Sequence, residues 1–192
     1  MNIAVFDGGP GGARGAGCRK IAAAFAGEAG ARGDAVTVLE LDGLTIKPCL
    51  GCFACWVKHP GLCAVKDDAE RVLRAMAASD VQVWITPVTF GGYGPALKKA
   101  LDRLIPNILP FFAMRQGEVH HPPRYERRRS LFAFGTLPGP DGEAERIFRH
   151  LVGRNGLNLD SVLTESVIVY EGEEAGAAGR ARELLDAAGG AA

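Results

Sequence analysis

Five short apolar runs, separated by segments with helical periodicity, constrain the fold of this chain more than any other feature. The runs cover residues 3–6, 36–41, 81–85, 131–134 and 167–170. Short apolar runs bounded by turn residues are typical of buried parallel strands. The intervening segments predict helices up to about residue 31, from residue 67, around residues 97–104, and near 141–153 and 174–187. This alternation predicts a three-layer α/β sandwich with a five-stranded parallel sheet, whose ligand binds at the carboxyl ends of the strands.

Two long segments interrupt the alternation and indicate where function is added to the fold. Residues 43–66 carry four cysteines, and residues 106–129 form a second, Pro/Arg-rich loop. Loops of this length in a compact domain are usually functional or cover something. Because 192 residues are the length of one domain, we expect a single domain over residues 1–192 that contains both inserts.

Charge and N-terminal sequence narrow the possible partners. Lys plus Arg and Asp plus Glu are both 22, so the formal net charge is zero, which argues against nucleic acid and membrane surfaces as partners. The first residues have no cationic region, and their apolar run is too short for a signal peptide. We therefore expect a cytoplasmic protein, whose clustered cysteines favour metal or redox chemistry over structural disulfides.

A glycine-rich segment, residues 8–17, follows the first predicted strand directly. Its glycines allow a tight turn whose N–H groups point inward next to a helix N-terminus, an arrangement that binds anions. The segment matches neither the Walker pattern nor G-x-G-x-x-G. It is therefore interpreted as a phosphate-sized site, the alternative being a flexible turn without a ligand.

The cysteine pattern Cys49-x2-Cys52-x2-Cys55-x7-Cys63 is the most specific signal in the chain. Three thiolates at this spacing can converge on one metal–sulfur face, and a fourth completes the site, as in ferredoxin-type runs. A four-thiolate zinc site, a disulfide between neighbouring cysteines, and free thiols remain as alternatives. Cys18 stands apart from the cluster and is not expected to be a ligand.

The segment of residues 86–98, with Asp102 and Arg103 just beyond it, carries a family resemblance. It resembles the isoalloxazine-binding loop and following helix of the NAD(P)H-dependent FMN reductase family. The resemblance covers residues 1 to about 105 and implies a flavodoxin-like sandwich with strand order 2-1-3-4-5, bound FMN, and NAD(P)H as electron donor. It implies that the FMN phosphate lies on Gly8, Gly9, Pro10, Arg14, Gly15, Ala16, Gly17 and Cys18. It implies that the flavin ring lies on Pro87, Val88, Thr89, Phe90, Gly91 and Gly92.

The first loop departs from the family pattern in its hydroxyl residues. Gly9 stands where the family has serine, and Gly17 and Cys18 stand where it has Asn-Thr, after a longer loop. Thr89 stands where the family often has tyrosine. The resemblance therefore leaves main-chain N–H groups and Arg14 as the phosphate ligands.

The cysteine pattern extends the resemblance to the iron–sulfur flavoprotein branch of this family. This implies one 4Fe–4S cluster on Cys49, Cys52, Cys55 and Cys63, and a ferredoxin-like protein, quinones or other small redox carriers as partners. Such a protein would convert two-electron reductants to one-electron carriers, and no catalytic side chain is expected. The alternatives are a cluster-free NAD(P)H-dependent FMN or quinone reductase and a non-catalytic binding module with a structural zinc.

The second insert is too apolar to be a solvated loop. Apolar residues cluster where it begins, namely Ile108, Leu109, Phe111 and Phe112, with Ile105 just before it. Exposed apolar patches of this size mark interaction sites, and we therefore expect a homo-oligomer.

Overall fold

The computed structural model describes residues 1–190 as eight strands and six helices. The strands are β1 (Asn2–Asp7), β2 (Ala35–Glu40), β3 (Val81–Thr89), β4 (Gly92–Tyr93), β5 (Ala113–Arg115), β6 (Glu118–His120), β7 (Ser130–Leu137) and β8 (Thr164–Tyr170). The helices are α1 (Ala16–Ala31), α2 (Ala54–Val57), α3 (Ala69–Ala78), α4 (Pro95–Asp102), α5 (Gly142–Asn158) and α6 (Ala177–Gly190). Among these residues, no helix is long and apolar enough to cross a membrane.

Five of the strands form one parallel sheet in the order β2-β1-β3-β7-β8. Val5 at its centre pairs with Val38 on one side and with Val83 on the other. Counted as the five long strands alone, the order is 2-1-3-4-5, so the predicted α/β class and sheet order are confirmed. The short β4 pairs antiparallel with the end of β3.

The sheet is covered on both faces, which makes the three layers. Ile3 and Val5 of β1 face α1 and α6, while Ala4 and Phe6 face α3, α4 and α5. Because successive side chains of a strand point to opposite faces, a strand buried on both sides is apolar throughout. The central strands therefore read as continuous apolar runs.

Two elements differ from the sequence-based expectation. β3 continues past Ile85 to Thr89, so most of the predicted second loop is strand. The second insert is not irregular throughout, because β5 and β6 pair as a hairpin within it. Its two turn residues, Gln116 and Gly117, both have positive φ angles of 48° and 83°. This is the backbone of a two-residue hairpin turn, but the residue before the glycine is glutamine rather than the usual Asn or Asp.

Candidate functional site

The glycine-rich loop leaves β1 at the carboxyl end of the sheet and is tightly folded. The N–H of Gly8 donates to the carbonyl of Ile85, which joins the ends of β1 and β3 at 2.8 Å. A Cβ atom at Gly9 would lie 2.6 Å from Cβ of Cys18, and one at Gly15 would lie 1.9 Å from the Pro10 carbonyl oxygen. Only glycine allows the chain to approach itself so closely at these two positions.

Three side chains that the sequence did not single out hold this loop. Asp7 Oδ1 accepts a hydrogen bond from the Gly9 N–H at 2.8 Å, and Asp42 Oδ2 accepts one from the Gly11 N–H at 2.9 Å. Arg19 donates to the Pro10 carbonyl at 3.2 Å and also to that of Gly12. Two of the N–H groups expected to bind an anion are therefore already bonded to carboxylates.

The base of the loop is buried. Asp7 is 3 % exposed, and this burial raises its pKa, although the Gly9 N–H and the charge of Arg19 oppose the shift. Burial likewise raises the pKa of Cys18 to about 11. The Cys18 thiol lies 3.7 Å from the Thr136 hydroxyl at the end of β7. Cys18 is thus a neutral core thiol, as expected for a cysteine outside the cluster.

The outer part of the loop remains open to a ligand. Gly12 is exposed and has a φ of 71°, and nothing lies within 4 Å of where its Cβ would be. Within residues 1–190, neither the Gly12 N–H nor the Arg14 guanidinium has a hydrogen-bond or ion-pair partner. A phosphate group fits this open part, because an N–H group and a cation are both free there.

The second loop reaches the same end of the sheet. β3 turns at Phe90 and Gly91, which have positive φ angles of 50° and 77°, and returns as β4. The Phe90 side chain is 98 % exposed. Positive φ is uncommon for a residue other than glycine and is frequent at functional sites. Since β1 and β3 are parallel neighbours, residues 8–18 and 87–92 both lie at the carboxyl end of the sheet.

The four clustered cysteines surround one small cavity. Cys49 and Cys52 are exposed, Cys55 is buried and Cys63 is intermediate. The cavity they line is small, at about 30 Å³. Burial raises the pKa of Cys55, and the neighbouring Cys63 adds to this shift. Nevertheless, no group of three His, Cys, Asp or Glu side chains converges as a metal site anywhere in residues 1–190.

Arg103 fixes the cysteine loop to α4, a role that the sequence did not reveal. Its side chain is only 1 % exposed and contacts Asp67 at 2.8 and 3.1 Å. It also donates to Cys63 Sγ at 3.2 Å and to the carbonyls of Lys47 and Val65 at 2.7 and 3.2 Å. Its Nε is buried without a partner among the described residues. One guanidinium thus connects both ends of the cysteine loop.

The Asp67 carboxylate is stabilised in its charged form despite its burial. Burial alone would raise its pKa, but hydrogen bonds from Arg103 and from the Lys47 and Ala69 N–H groups outweigh this effect. The pKa of Asp67 therefore lies below its ordinary value. The carboxylate bonds both the start of the cysteine loop and the first turn of α3.

Solved structures with this fold include several reductases. An NAD(P)H:quinone oxidoreductase from Methanothermobacter marburgensis has a TM-score of 0.66 at 13% identity, over 95% of this chain and 96% of that chain. An azoreductase from Bacillus anthracis str. Sterne has a TM-score of 0.64 at 15% identity, over 100% of this chain and 98% of that chain. An FMN-dependent NADH-azoreductase from Bacillus anthracis str. Ames Ancestor, in complex with FMN, has a TM-score of 0.59 at 10% identity, over 98% of this chain and 97% of that chain.

At such low identity these structural likenesses show the fold alone, and the family has to come from sequence comparison. No curated protein matches the chain. A family model described as NADPH-dependent FMN reductase matches residues 1–121, which is more than half of the 192 residues. The resemblance predicted from the two loops is confirmed. The chain belongs to the NADPH-dependent FMN reductase family and is an FMN-dependent oxidoreductase with the flavodoxin-like fold.

Proposed function

We propose that this protein is an NAD(P)H-dependent FMN reductase that passes electrons to quinones or other small acceptors. The observation that most supports this proposal is that two loops lie together at the carboxyl end of the sheet. One offers a free N–H and a free guanidinium at Gly12 and Arg14, and the other offers the exposed ring of Phe90. When bound, FMN accepts a hydride from NAD(P)H and passes electrons to the acceptor.

In this proposal the chain binds and orients the flavin and supplies no acid–base residue. The phosphate lies on Gly12 in the outer part of the loop and on the main-chain N–H groups of residues 15–18 at the start of α1, with Arg14 as its cation. Gly8, Gly9 and Pro10 shape the base of the loop, because the N–H groups there are used by Ile85 and Asp7. The flavin ring lies on residues 87–92, beside Phe90.

We also propose that the chain is a single domain and works in a reducing compartment. Both inserts are bonded to the sandwich, through Arg103 in the first case and through ion pairs to α5 in the second. All five cysteines are free, which fits a cytoplasmic location.

Binding of FMN and of riboflavin to an Arg14→Gln variant tests this placement. A hydrogen bond to a charged group contributes about 1.5 kcal/mol or more, so FMN affinity should fall roughly tenfold. Riboflavin lacks the phosphate, so its affinity should not change. Arg71→Gln is the matched control, because Arg71 is also exposed but lies on α3. Equal losses for both flavins, or no loss for FMN, would refute the phosphate site.

The iron–sulfur cluster remains a prediction that rests on the cysteine spacing. As arranged, the four thiols do not form a metal site, because no group of three of them converges among the described residues. What favours a shared site is that all four line one cavity. Anaerobic reconstitution with iron and sulfide, followed by iron counting, is the test. Uptake that Cys63→Ser abolishes would support the cluster and a ferredoxin-like partner, whereas no uptake would leave the cluster-free reductase.

A further inference from the structure

Cys55 and Cys63 lie close together in the cysteine loop. The Gly61 N–H donates to the Cys55 carbonyl at 3.0 Å, so the chain folds back onto Cys55 two residues before it reaches Cys63. Burial raises the pKa of Cys55, and among the neighbouring charges Cys63 contributes most to this shift, ahead of Cys49 and Cys52. Cys55 therefore interacts more strongly with Cys63 than with the other two thiols of the loop.

Cys63 is accessible from solvent, whereas Cys55 is buried. Cys63 is intermediate in exposure and lines a second cavity, of about 430 Å³, between α3 and the second insert. Leu62 and Tyr125 also line this cavity and are 47 % and 40 % exposed, so the cavity opens to solvent. Cys55 is only 8 % exposed. A small reagent from solvent therefore reaches Cys63 before it reaches Cys55.

The Arg103 guanidinium beside Cys63 has a donor that no described group uses. Asp67 accepts hydrogen bonds from its Nη1 and Nη2 at 2.8 and 3.1 Å, so the carboxylate faces the end formed by these two nitrogens. In a planar guanidinium the other Nη2 hydrogen lies on the same edge as the Nε hydrogen. On this edge Nη2 donates to Cys63 Sγ and to the Val65 carbonyl, both at 3.2 Å. Nε is the one buried side-chain nitrogen or oxygen without a partner within residues 1–190.

The edge of Arg103 that faces Cys63 thus lacks one acceptor. A thiol sulfur is a weak acceptor, and a buried donor without a partner costs free energy. An oxygen atom bonded to Cys63 Sγ would add a strong acceptor at this edge, and a hydrogen bond from a charged donor to oxygen is among the strongest in proteins. The surroundings of Cys63 therefore favour the sulfur in a form that carries oxygen.

We propose that Cys63 is a site of oxidation by hydrogen peroxide, and that Cys55 converts the oxidised sulfur to a disulfide. In the first step the Cys63 sulfur attacks one peroxide oxygen, the O–O bond breaks, and the thiol proton leaves with the other oxygen as water. In the second step the Cys55 sulfur attacks the Cys63 sulfenic acid, an S–S bond forms, the S–O bond breaks, and a second water leaves. The two thiols together lose two electrons and two protons to one peroxide.

The arrangement has both features of a redox-sensing cysteine pair, namely an accessible thiol and a second cysteine beside it that resolves the oxidised form. A disulfide requires two thiols, so it does not depend on a group of three, and no such group converges among the residues that the structure describes. The proposed site concerns the iron-free chain and goes beyond the proposed flavin chemistry.

The order in which two reagents modify the cysteines of the iron-free full chain tests this assignment. Iodoacetamide should modify the exposed Cys49 and Cys52 before Cys63, because access governs this reaction. Hydrogen peroxide should reverse the order. The Cys63 thiol should be lost about tenfold faster than the Cys52 thiol, because a hydrogen bond from a charged donor stabilises only the oxidised Cys63. Peptide mass spectrometry measures both orders, and peroxide oxidation in the iodoacetamide order would overturn the proposal.

Single substitutions identify the resolving thiol. Peroxide should link the Cys55 and Cys63 peptides of the wild type. Cys55→Ser should abolish this link and leave a sulfenic acid at Cys63 that dimedone traps. Cys52→Ser is the matched control, since it removes an exposed thiol of the same loop and should leave the link unchanged. A wild-type link from Cys55 to Cys49 or Cys52, or a Cys63→Ser variant in which Cys55 is oxidised at the wild-type rate, would overturn the proposal.

Discussion

Replacing Arg103 with methionine removes a side chain that joins both ends of the cysteine loop to the end of α4. Arg103 and Asp67 have side-chain exposures of 1 % and 2 %, so the substitution leaves a buried carboxylate without its cation. Breaking a buried ion pair in this way costs about 3–5 kcal/mol. For a domain of this length, 1 kcal/mol corresponds to about 2–4 °C, so the melting temperature should fall by roughly 6–20 °C.

The same substitution should release the cysteine loop locally. Arg103 is the only described group that donates a hydrogen bond to Cys63 Sγ, and it also holds the Lys47 and Val65 carbonyls. Without these bonds, Cys55 and Cys63 should react faster with an alkylating reagent under native conditions. Cys18 belongs to the sheet core and should stay protected, which makes it an internal reference.

Denaturant unfolding and timed alkylation measure the two effects. Arg71→Met is the control, because Arg71 is 62 % exposed and its ion pair with Asp68 is worth little. A double-mutant cycle with Asp67→Asn isolates the Arg103–Asp67 coupling, and neighbours in one network are expected to couple by about 0.5–3 kcal/mol. A stability loss below about 1 kcal/mol, with alkylation unchanged, would refute the role of Arg103.

Three further predictions concern Asp67, Asp42 and Gly91. Since the pKa of Asp67 is lowered in the folded state, its charged carboxylate stabilises the fold fully above the ordinary pKa of 3.8, and this stabilisation is lost as the pH falls through the folded-state pKa. In thermal melts at decreasing pH, the wild type should therefore lose stability more steeply than Asp67→Asn. Asp42→Asn should raise the affinity for FMN about fourfold in a fluorescence titration and leave the affinity for riboflavin unchanged, because it removes a repulsion of about 0.8 kcal/mol, the value for two like charges about 5 Å apart in water. Unchanged FMN affinity would contradict this. Gly91→Val forces a Cβ to within 2.6 Å of Ile147 at a φ of 77°, so affinity for both flavins should fall while circular dichroism shows a folded domain; affinity equal to that of the wild type would exclude the ring from this turn.

The sheet could be predicted from the sequence because its strands are buried on both faces. Residues such as Ile3 to Phe6 are then apolar without a break, and this signal does not depend on distant contacts. The end of β3 was missed because Pro87 normally ends a strand, whereas here the strand continues and turns back as β4. The β5–β6 hairpin was missed because Gln116 precedes the turn glycine in place of Asn or Asp.

The site was harder to predict because its electrostatics come from residues far apart in the chain. Asp42 accepts a hydrogen bond from the Gly11 N–H, 31 residues away in the sequence, and Arg103 pairs with Asp67, 36 residues away. Neither pairing leaves a periodic or spaced pattern, since only the fold brings the partners together.

The cysteine spacing indicated that four thiols share one place, and all four do line one cavity. Spacing alone does not determine how closely thiols approach, and in this loop Arg103 already holds Cys63. A metal or cluster would therefore have to displace a buried guanidinium from Cys63, so ligand binding and the Arg103–Asp67 pair are expected to be coupled.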